Sequence, residues 1–330
     1  MLQQIIQILP QVIIDGLTLG FVYAVVAIGY TMVYGILELI NFAHGDVFMT
    51  GSFIGAAVLF FMMSVGFLSS LPSLIVFIIV MAITAIVTGL MGVGIERVAY
   101  RPLRKRNAPK LIALITSIGI SFVLEDVVRF FAELKTGNYI ITSPPLFNQK
   151  MTLDIHSVMP VFNKITFQSS FILVFIVTII MLIALDIFVN RTKWGMAMRA
   201  VAQDRETASL MSINVNRVIS ITFFVGSALG GATGVLFMIQ YGTIDPYIGF
   251  ILGIKAFTAA VLGGIGNIRG AMLGGILLGL LEMFAAANLS TITHGAMGAE
   301  YKDVFAFIIL ILVLIFKPEG LFGKAVVEKV

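Results

Sequence analysis

The sequence predicts an all-α polytopic membrane protein with about eight or nine transmembrane helices. Three observations carry that prediction. Hydrophobic residues form 59% of the chain and charged residues only 12%, with a mean hydropathy of +1.06. Soluble domains carry about 25% charged residues, so this chain cannot cover itself with a water-facing surface and lipid must be its solvent. The apolar residues fall in runs near the roughly 20 residues that a span requires, and the basic residues gather in alternate connections between those runs. Eight or nine spans use about 160–180 residues of the 330. No stretch is left for a soluble catalytic domain, and 1–330 reads as a single transmembrane domain.

Taken in order, the apolar runs lie at 12–34, 47–67, 71–95, 111–131, 170–189, 218–240, 253–264, 271–288 and 304–316. The first follows a Gln-rich start without basic residues and is long enough to span, so it reads as a helix rather than a cleaved leader. The run at 47–67 begins inside a polar, glycine-bearing stretch, and 253–264 is too short to span as a straight helix. The segments 40–58 and 261–279 each place a glycine-bearing bend before a glycine-spaced helix. Such pairs of interrupted helices meet near the midplane in many transporters. Broken or short helices are therefore expected near 41–58 and 253–279. Glycines four apart at Gly16/Gly20, Gly51/Gly55, Gly226/Gly230/Gly234 and Gly275/Gly279 predict close helix packing.

Charge orients the chain. Segment 96–110 holds six Lys/Arg, 190–217 holds five, the tail from Lys317 holds three, and Arg269 adds one. The alternate connections hold three, Lys135, Lys150 and Lys164, all in the loop 132–168. This asymmetry predicts that 132–168 is extracytoplasmic and that 190–217 and the C-terminus are cytoplasmic. It also explains the net charge of +4 as a topology signal facing lipid, not a nucleic-acid footprint.

Catalysis finds little support. The chain has no cysteine, which removes thiolate metal sites and thiol nucleophiles. His44, His156 and His294 are too scattered for a metal cluster. There is no G-x-x-x-x-G-K-[ST] phosphate loop, and the glycines of GGIGNIRG are spaced one residue too widely for a dinucleotide fingerprint. No cofactor, metal or catalytic residue is expected. Ionisable residues at membrane depth are functional candidates: Asp15, Glu125, Asp126, Asp186, Lys255 and Glu282. Lys255 and Glu282 either pair in the interior or snorkel to the interfaces.

The connection 190–217 has no proline or glycine from Met196 to Arg217. Its spacing predicts one helix with Ala200, Asp204, Ala208 and Ser212 on a common face. A small-residue face with a charged flank suits docking into a groove on a partner, although an interfacial helix lying on lipid is the alternative.

Several strings then point to one family: GLTLGFVYAVVAIGYTMVYGILELINFAHGDVFMTGSF (16–53), WGMAMRAVAQDRETASLMSINV (194–215), YGTIDPY (241–247), KAFTAAVLGGIGNIRGAMLGGILLG (255–279) and FAFIILILVLIFKPEGLFG (305–323). In this order they resemble the permease subunit of branched-chain amino acid ABC importers. The INFAHGD and WGMAMRAVAQD forms resemble the LivH-type rather than the LivM-type member. The resemblance implies an ATP-driven importer in the prokaryotic inner membrane, working by alternating access. It implies as partners a second, LivM-type permease, two ATP-binding subunits and a soluble substrate-binding protein. It makes 194–215 the coupling loop, with Ala200, Asp204, Glu206, Ala208 and Ser212 as coupling residues. Ser212 departs from the family pattern, which usually has glycine there. Asn41, His44, Asp46, Gly264 and Gly266 are candidates for the pathway or its gate, with His44 equally readable as a residue that stabilises the bend. Two rivals remain in other classes, an ion-coupled secondary transporter and a membrane scaffold. Within the importer reading, urea, a sugar or another neutral amino acid are alternative cargoes.

Overall fold

The structure is a computed structural model that describes residues 2–37, 41–154, 161–317 and 319–323. Its helices are α1 (Leu2–Leu37), α2 (Ala43–Ser64), the single turn α3 (Phe67–Ser70), α4 (Ser73–Ile95), α5 (Arg101–Lys105), α6 (Lys110–Thr136), α7 (Ser169–Arg191), α8 (Lys193–Gln203), α9 (Arg205–Leu210), α10 (Val215–Tyr241), α11 (Ile248–Gly263), α12 (Ile268–Ile292) and α13 (Lys302–Phe316). Among the described residues, seven helices are long and apolar enough to cross a membrane. The other two apolar helices are the 16-residue α11 and the 15-residue α13. Each apolar run of the sequence is therefore a helix. Most extend a few residues past the run, because helical hydrogen bonding continues into polar flanks that lipid does not favour.

α4 does not stop at Ile95. It passes through a π turn, Glu96–Tyr100, into α5. The wide turn places Arg101 over Glu96, where the Arg101 N–H donates to the Glu96 carbonyl.

Lipid as solvent explains the distribution of exposure. α1 and α10 are buried almost all round. α4, α6 and α7 instead expose Ile78, Ile86, Ile115, Phe130, Ile180 and similar residues, an arrangement that would be unstable in water. α1 packs along α12, and α10 lies against α2 and α4. The glycine stripes sit at these seams. A Cβ on Gly16 would stand 2.9 Å from the Leu280 Cα, and one on Gly20 would stand 2.8 Å from the Ile276 Cα. From α12, Gly275 and Gly279 face Ala24 and Gly20 in return. On α10, Gly234 meets the Phe48 carbonyl and Ser52 of α2, whereas Gly230 has ordinary space beside His44. The stripe faces protein, and its tightest member is Gly234.

Short strands organise one end. β1 (Ile141–Thr142) pairs antiparallel with β4 (Thr243–Ile244), and β2 (Lys150–Leu153) pairs antiparallel with β3 (Ile165–Gln168). The β2–β3 hairpin is tied to the start of α1, since Asn163 N–H donates to the Gln7 carbonyl at 3.0 Å and Thr166 N–H to Gln11 Oε1 at 2.9 Å. The N-terminal end of α1 thus lies with the 132–168 loop. Its other end lies with α9, where Arg205 Nη2 donates to the Ile36 and Leu37 carbonyls at 2.9 and 3.0 Å. These contacts define a loop end and a basic end of the bundle. His156 and the tail from 324 onward lie outside the described residues.

Candidate functional site

α2 begins inside the bundle. Its first turn, Ala43 to Asp46, is buried, and the His44 ring meets Tyr30 edge-on with centroids 4.9 Å apart. Tyr30 is seven residues before the end of α1, so α2 starts about 10 Å back from that end at the helical rise. Of the five residues expected at the pathway or gate, the three around the start of α2 point in different directions. Asn41 Oδ1 accepts from the Tyr100 hydroxyl at 2.9 Å. His44 lies between Gly29 of α1 and Gly230 of α10, and its Nε2 has no hydrogen-bond partner. Asp46 Oδ2 accepts from the Ser121 hydroxyl of α6, while Oδ1 is buried without a partner.

That free oxygen faces the start of α11. A Cβ on Gly249 would lie 2.5 Å from Asp46 Oδ1, and one on Gly45 would lie 2.6 Å from the Gly253 Cα. The positive end of the α11 macrodipole favours a carboxylate there. The element that meets the broken start of α2 is therefore the start of α11.

The sequence pairing of 40–58 with 261–279 needs correction in this respect. Gly264 and Gly266 form the α11–α12 turn, at φ of +100° and +91°, a backbone region that glycine adopts without strain. Asn267 caps α12 by accepting from Gly270 N–H at 3.1 Å. Segment 319–323 folds onto this turn, with Leu321 N–H donating to Leu262 at 2.8 Å and Asn267 Nδ2 to Phe322 at 2.8 Å. The glycines serve a clamped turn at the basic end, and Ile265 between them lines a crevice with Asn41.

Lys255 and Glu282 pair. Lys255 Nζ lies 2.8 Å from Glu282 Oε1 and 2.6 Å from Asp303 Oδ1. Tyr23 donates its hydroxyl proton to Glu282 Oε2 at 2.7 Å. One network thus joins α1, α11, α12 and α13. It lines a cavity of about 420 Å³ together with Asp15, Leu19, Phe237, Leu252 and Lys302, a volume ordinary for small-molecule sites. The cavity offers both signs of charge beside apolar walls. Tyr23 and Asp303 were not legible, because no spacing links residues on separate helices. The remaining acids are peripheral: Glu125 is half-buried, Asp126 stands 3.8 Å from Arg129, and Asp186 stands 3.5 Å from Arg269.

The basic end carries a second buried carboxylate. Glu96 is fully buried and accepts from Arg101 at 2.9 Å, Arg104 at 2.7 Å and Ser220 at 2.9 Å. The only hint in the sequence is one acid opening the run ERVAYRPLRKR.

The connection 190–217 is two helices, not one. Asp204 is extended, at φ −159° and ψ 115°. Its Oδ1 accepts from Glu206 and Thr207 N–H at 2.9 and 3.2 Å, capping α9. The Thr207 hydroxyl, which donates to Asp204 Oδ2, and then these backbone bonds hold the Asp204 carboxyl below the usual carboxylate range. The cap therefore fails only as pH falls through that lowered value. The common face of Ala200, Asp204, Ala208 and Ser212 does not form. Ala208 is buried against the chain's own core with Met198 and Val201, Ala200 is partly buried there, and Ser212 lies beyond α9 at φ +64°. Glu206, Leu210 and Met211 face outward, the last two 85% and 74% exposed.

Among the described residues, no group of three or more His, Cys, Asp or Glu stands together as a metal site. Residues 12–314 match the family described as branched-chain amino acid transport system / permease component. The chain is 45% identical over 320 residues to the high-affinity branched-chain amino acid transport system permease protein BraD of Pseudomonas aeruginosa, covering 97% of each. It is 44% identical over 330 residues to LivH of Escherichia coli K12, covering 100% of each. The probable LivH of Methanocaldococcus jannaschii is 29% identical over 297 residues, 90% of this chain and 87% of that one. No solved structure matches significantly. With its multi-pass helical bundle, the chain belongs to the branched-chain amino acid transport permease family of inner-membrane proteins.

Proposed function

We propose that this protein is the membrane-spanning subunit of an ATP-driven importer for branched-chain amino acids, acting as one permease domain over 1–330. The observation that supports it most is full-length identity of 44–45% to permeases of that description. In this reading a LivM-type permease completes the pathway, two ATP-binding subunits supply energy and a soluble binding protein delivers cargo. The cavity chemistry suits such a cargo. A zwitterion could set its carboxylate toward Lys255 and its ammonium toward Asp303 or Asp15, with an aliphatic side chain against Leu252 and Phe237.

Residues 190–217 form the coupling element, with its parts reassigned. Asp204 and Ser212 shape it, Ala200 and Ala208 fix it to the bundle, and Glu206, Leu210 and Met211 meet the ATPase. Arg205 connects α9 to the end of α1, so a push on α9 reaches the turn holding Asn41, His44 and Asp46. Gly264 and Gly266 hold the neighbouring helix pair in place.

The test is reconstitution. Vesicles holding this chain and its partner subunits should take up leucine only with internal ATP and external loaded binding protein. Uptake driven by an ion gradient without ATP would overturn the reading. Sidedness has its own test in this cysteine-free chain. Ser143 is only 7% exposed, so Asn148→Cys is the better reporter for the 132–168 loop. An impermeant maleimide applied to spheroplasts should label Asn148→Cys and spare Ser209→Cys.

A further inference from the structure

At the basic end, α4 and α10 enclose an open groove of about 660 Å³. Arg97, Arg101 and Arg217 line it, with Asn214 and Ser220 between them. Among the described residues, no acidic side chain lines it. Behind the lining residues Arg101 and Ser220, Glu96 is fully buried and shared by Arg101 and Arg104. One negative charge thus answers two of the local arginines, while Arg97 and Arg217 add two more positive charges. Among the described residues, the groove carries a positive excess that no lining acid neutralises.

Its other wall is apolar. Leu90 and Phe224 line the groove beside the arginines. Leu90 is 60% exposed and continues a strip along α4 through Ile86, at 54%, and Ile83, at 40%. Residues at this spacing share one helix face, and on a spanning helix an exposed apolar face meets acyl chains. A free phosphate would use the arginines and ignore the strip. An amphiphile uses both.

We propose that this groove binds an anionic phospholipid, its phosphate held by Arg97, Arg101 and Arg217 and its acyl chain lying along Ile83, Ile86 and Leu90. Guanidinium forks match phosphate oxygens in charge-assisted, bidentate geometry, and basic pockets between spanning helices recognise acidic headgroups. Occupancy would brace the joint between α4 and α10 beside α8, independently of what the protein transports.

The chain contains its own reporter. Trp194 is its only tryptophan, and the Arg217 guanidinium carbon lies 5.4 Å from the centre of its ring. The full chain is placed in phosphatidylcholine nanodiscs with a small fraction of brominated phosphatidylglycerol or brominated phosphatidylcholine. Brominated phosphatidylglycerol should quench Trp194 more strongly at equal mole fraction. Arg97→Gln, which leaves the Glu96 cluster intact, should weaken the apparent affinity about fivefold, and Arg97→Lys should retain most of it. Lys105→Gln, exposed and outside the groove, should leave the preference unchanged. Equal quenching by the two lipids overturns the proposal, as does a preference that survives Arg97→Gln. Competition by millimolar inorganic phosphate would show a site for a free anion instead. Loss of the preference on adding the ATPase would show a protein-docking surface instead.

Discussion

Two polar sites lie deep in the same bundle and are built on opposite terms. Around Lys255 every charge is answered, by Glu282, Asp303 and the Tyr23 hydroxyl, and the network borders a cavity. Around the start of α2, His44 Nε2 and Asp46 Oδ1 have no partner, and glycine contacts close the space about them. An unsatisfied buried polar group costs about 1–3 kcal/mol, so packing must hold the second site together. A satisfied network acts as a staple. A site that keeps polar groups in reserve can exchange partners when the helices around it shift. That contrast favours the start of α2 as the moving part and α11, which the Lys255 network ties to α12 and α13, as the fixed wall it moves against.

The largest effect should come from breaking the packing at the unsatisfied site. Gly45→Val would drive a branched side chain into the Gly249 carbonyl and the Gly253 backbone, which cannot yield as a side chain can. No folded protein should accumulate in membranes, judged by size exclusion of a fluorescent fusion. Gly230→Ala, whose Cβ would have 3.5 Å to His44 Cε1, should accumulate normally. Similar yields for the two would remove packing as the element that holds this junction.

Next in size is the staple. Lys255→Met leaves Glu282 and Asp303 without their buried cation and should cost about 3–5 kcal/mol, read as a fall in melting temperature in detergent. Lys255→Met/Glu282→Gln should recover part of that loss, because the buried charge goes too. If the double variant is no better than the single one, the pair is not the source of the stability.

Asp46→Asn should separate the two sites. The amide can still accept from Ser121, so stability should change by about 1 kcal/mol or less, while leucine uptake should fall well below wild type as the α11 contact is altered. Unchanged uptake would place the moving part elsewhere.

Where lipid alone decides structure, the sequence was legible: all nine apolar runs are helices, and the glycine stripes lie at helix seams. Contacts between distant residues were less so. Lys255 and Glu282 could be named as opposite charges, but only the crossing of α11 and α12 joins them, and Asp303 arrives from a third helix. The coupling segment misled for a local reason. Its alanines, Gln203 and Glu206 favour one continuous helix, and that propensity hid Asp204, which accepts from N–H groups two and three residues on, as an N-cap does. The GGIGNIRG string misled in the other way, since glycines of a capping turn look the same as those of a midplane break until the 319–323 contact is seen.

The smallest effect tests whether that local reading is now right. Ser212 follows α9 at φ +64°, where an L-residue is strained by about 1–2 kcal/mol and glycine is not. Ser212 is exposed, and its own N–H donates to Ser209 at 3.1 Å, a bond that glycine would keep. Nothing is lost from the core on replacement. Glycine is freer in the unfolded chain, which offsets part of the relief, so Ser212→Gly should stabilise by about 0.5–1 kcal/mol. That is a rise of about 2 °C in melting temperature for a chain of this size. Ser212→Val, branched at Cβ in the same backbone region, should shift it the other way. A fall in melting temperature with glycine would mean that the turn after α9 does not hold this left-handed residue, and the bent α8–α9 pair would need to be redrawn as the single helix that propensity favours.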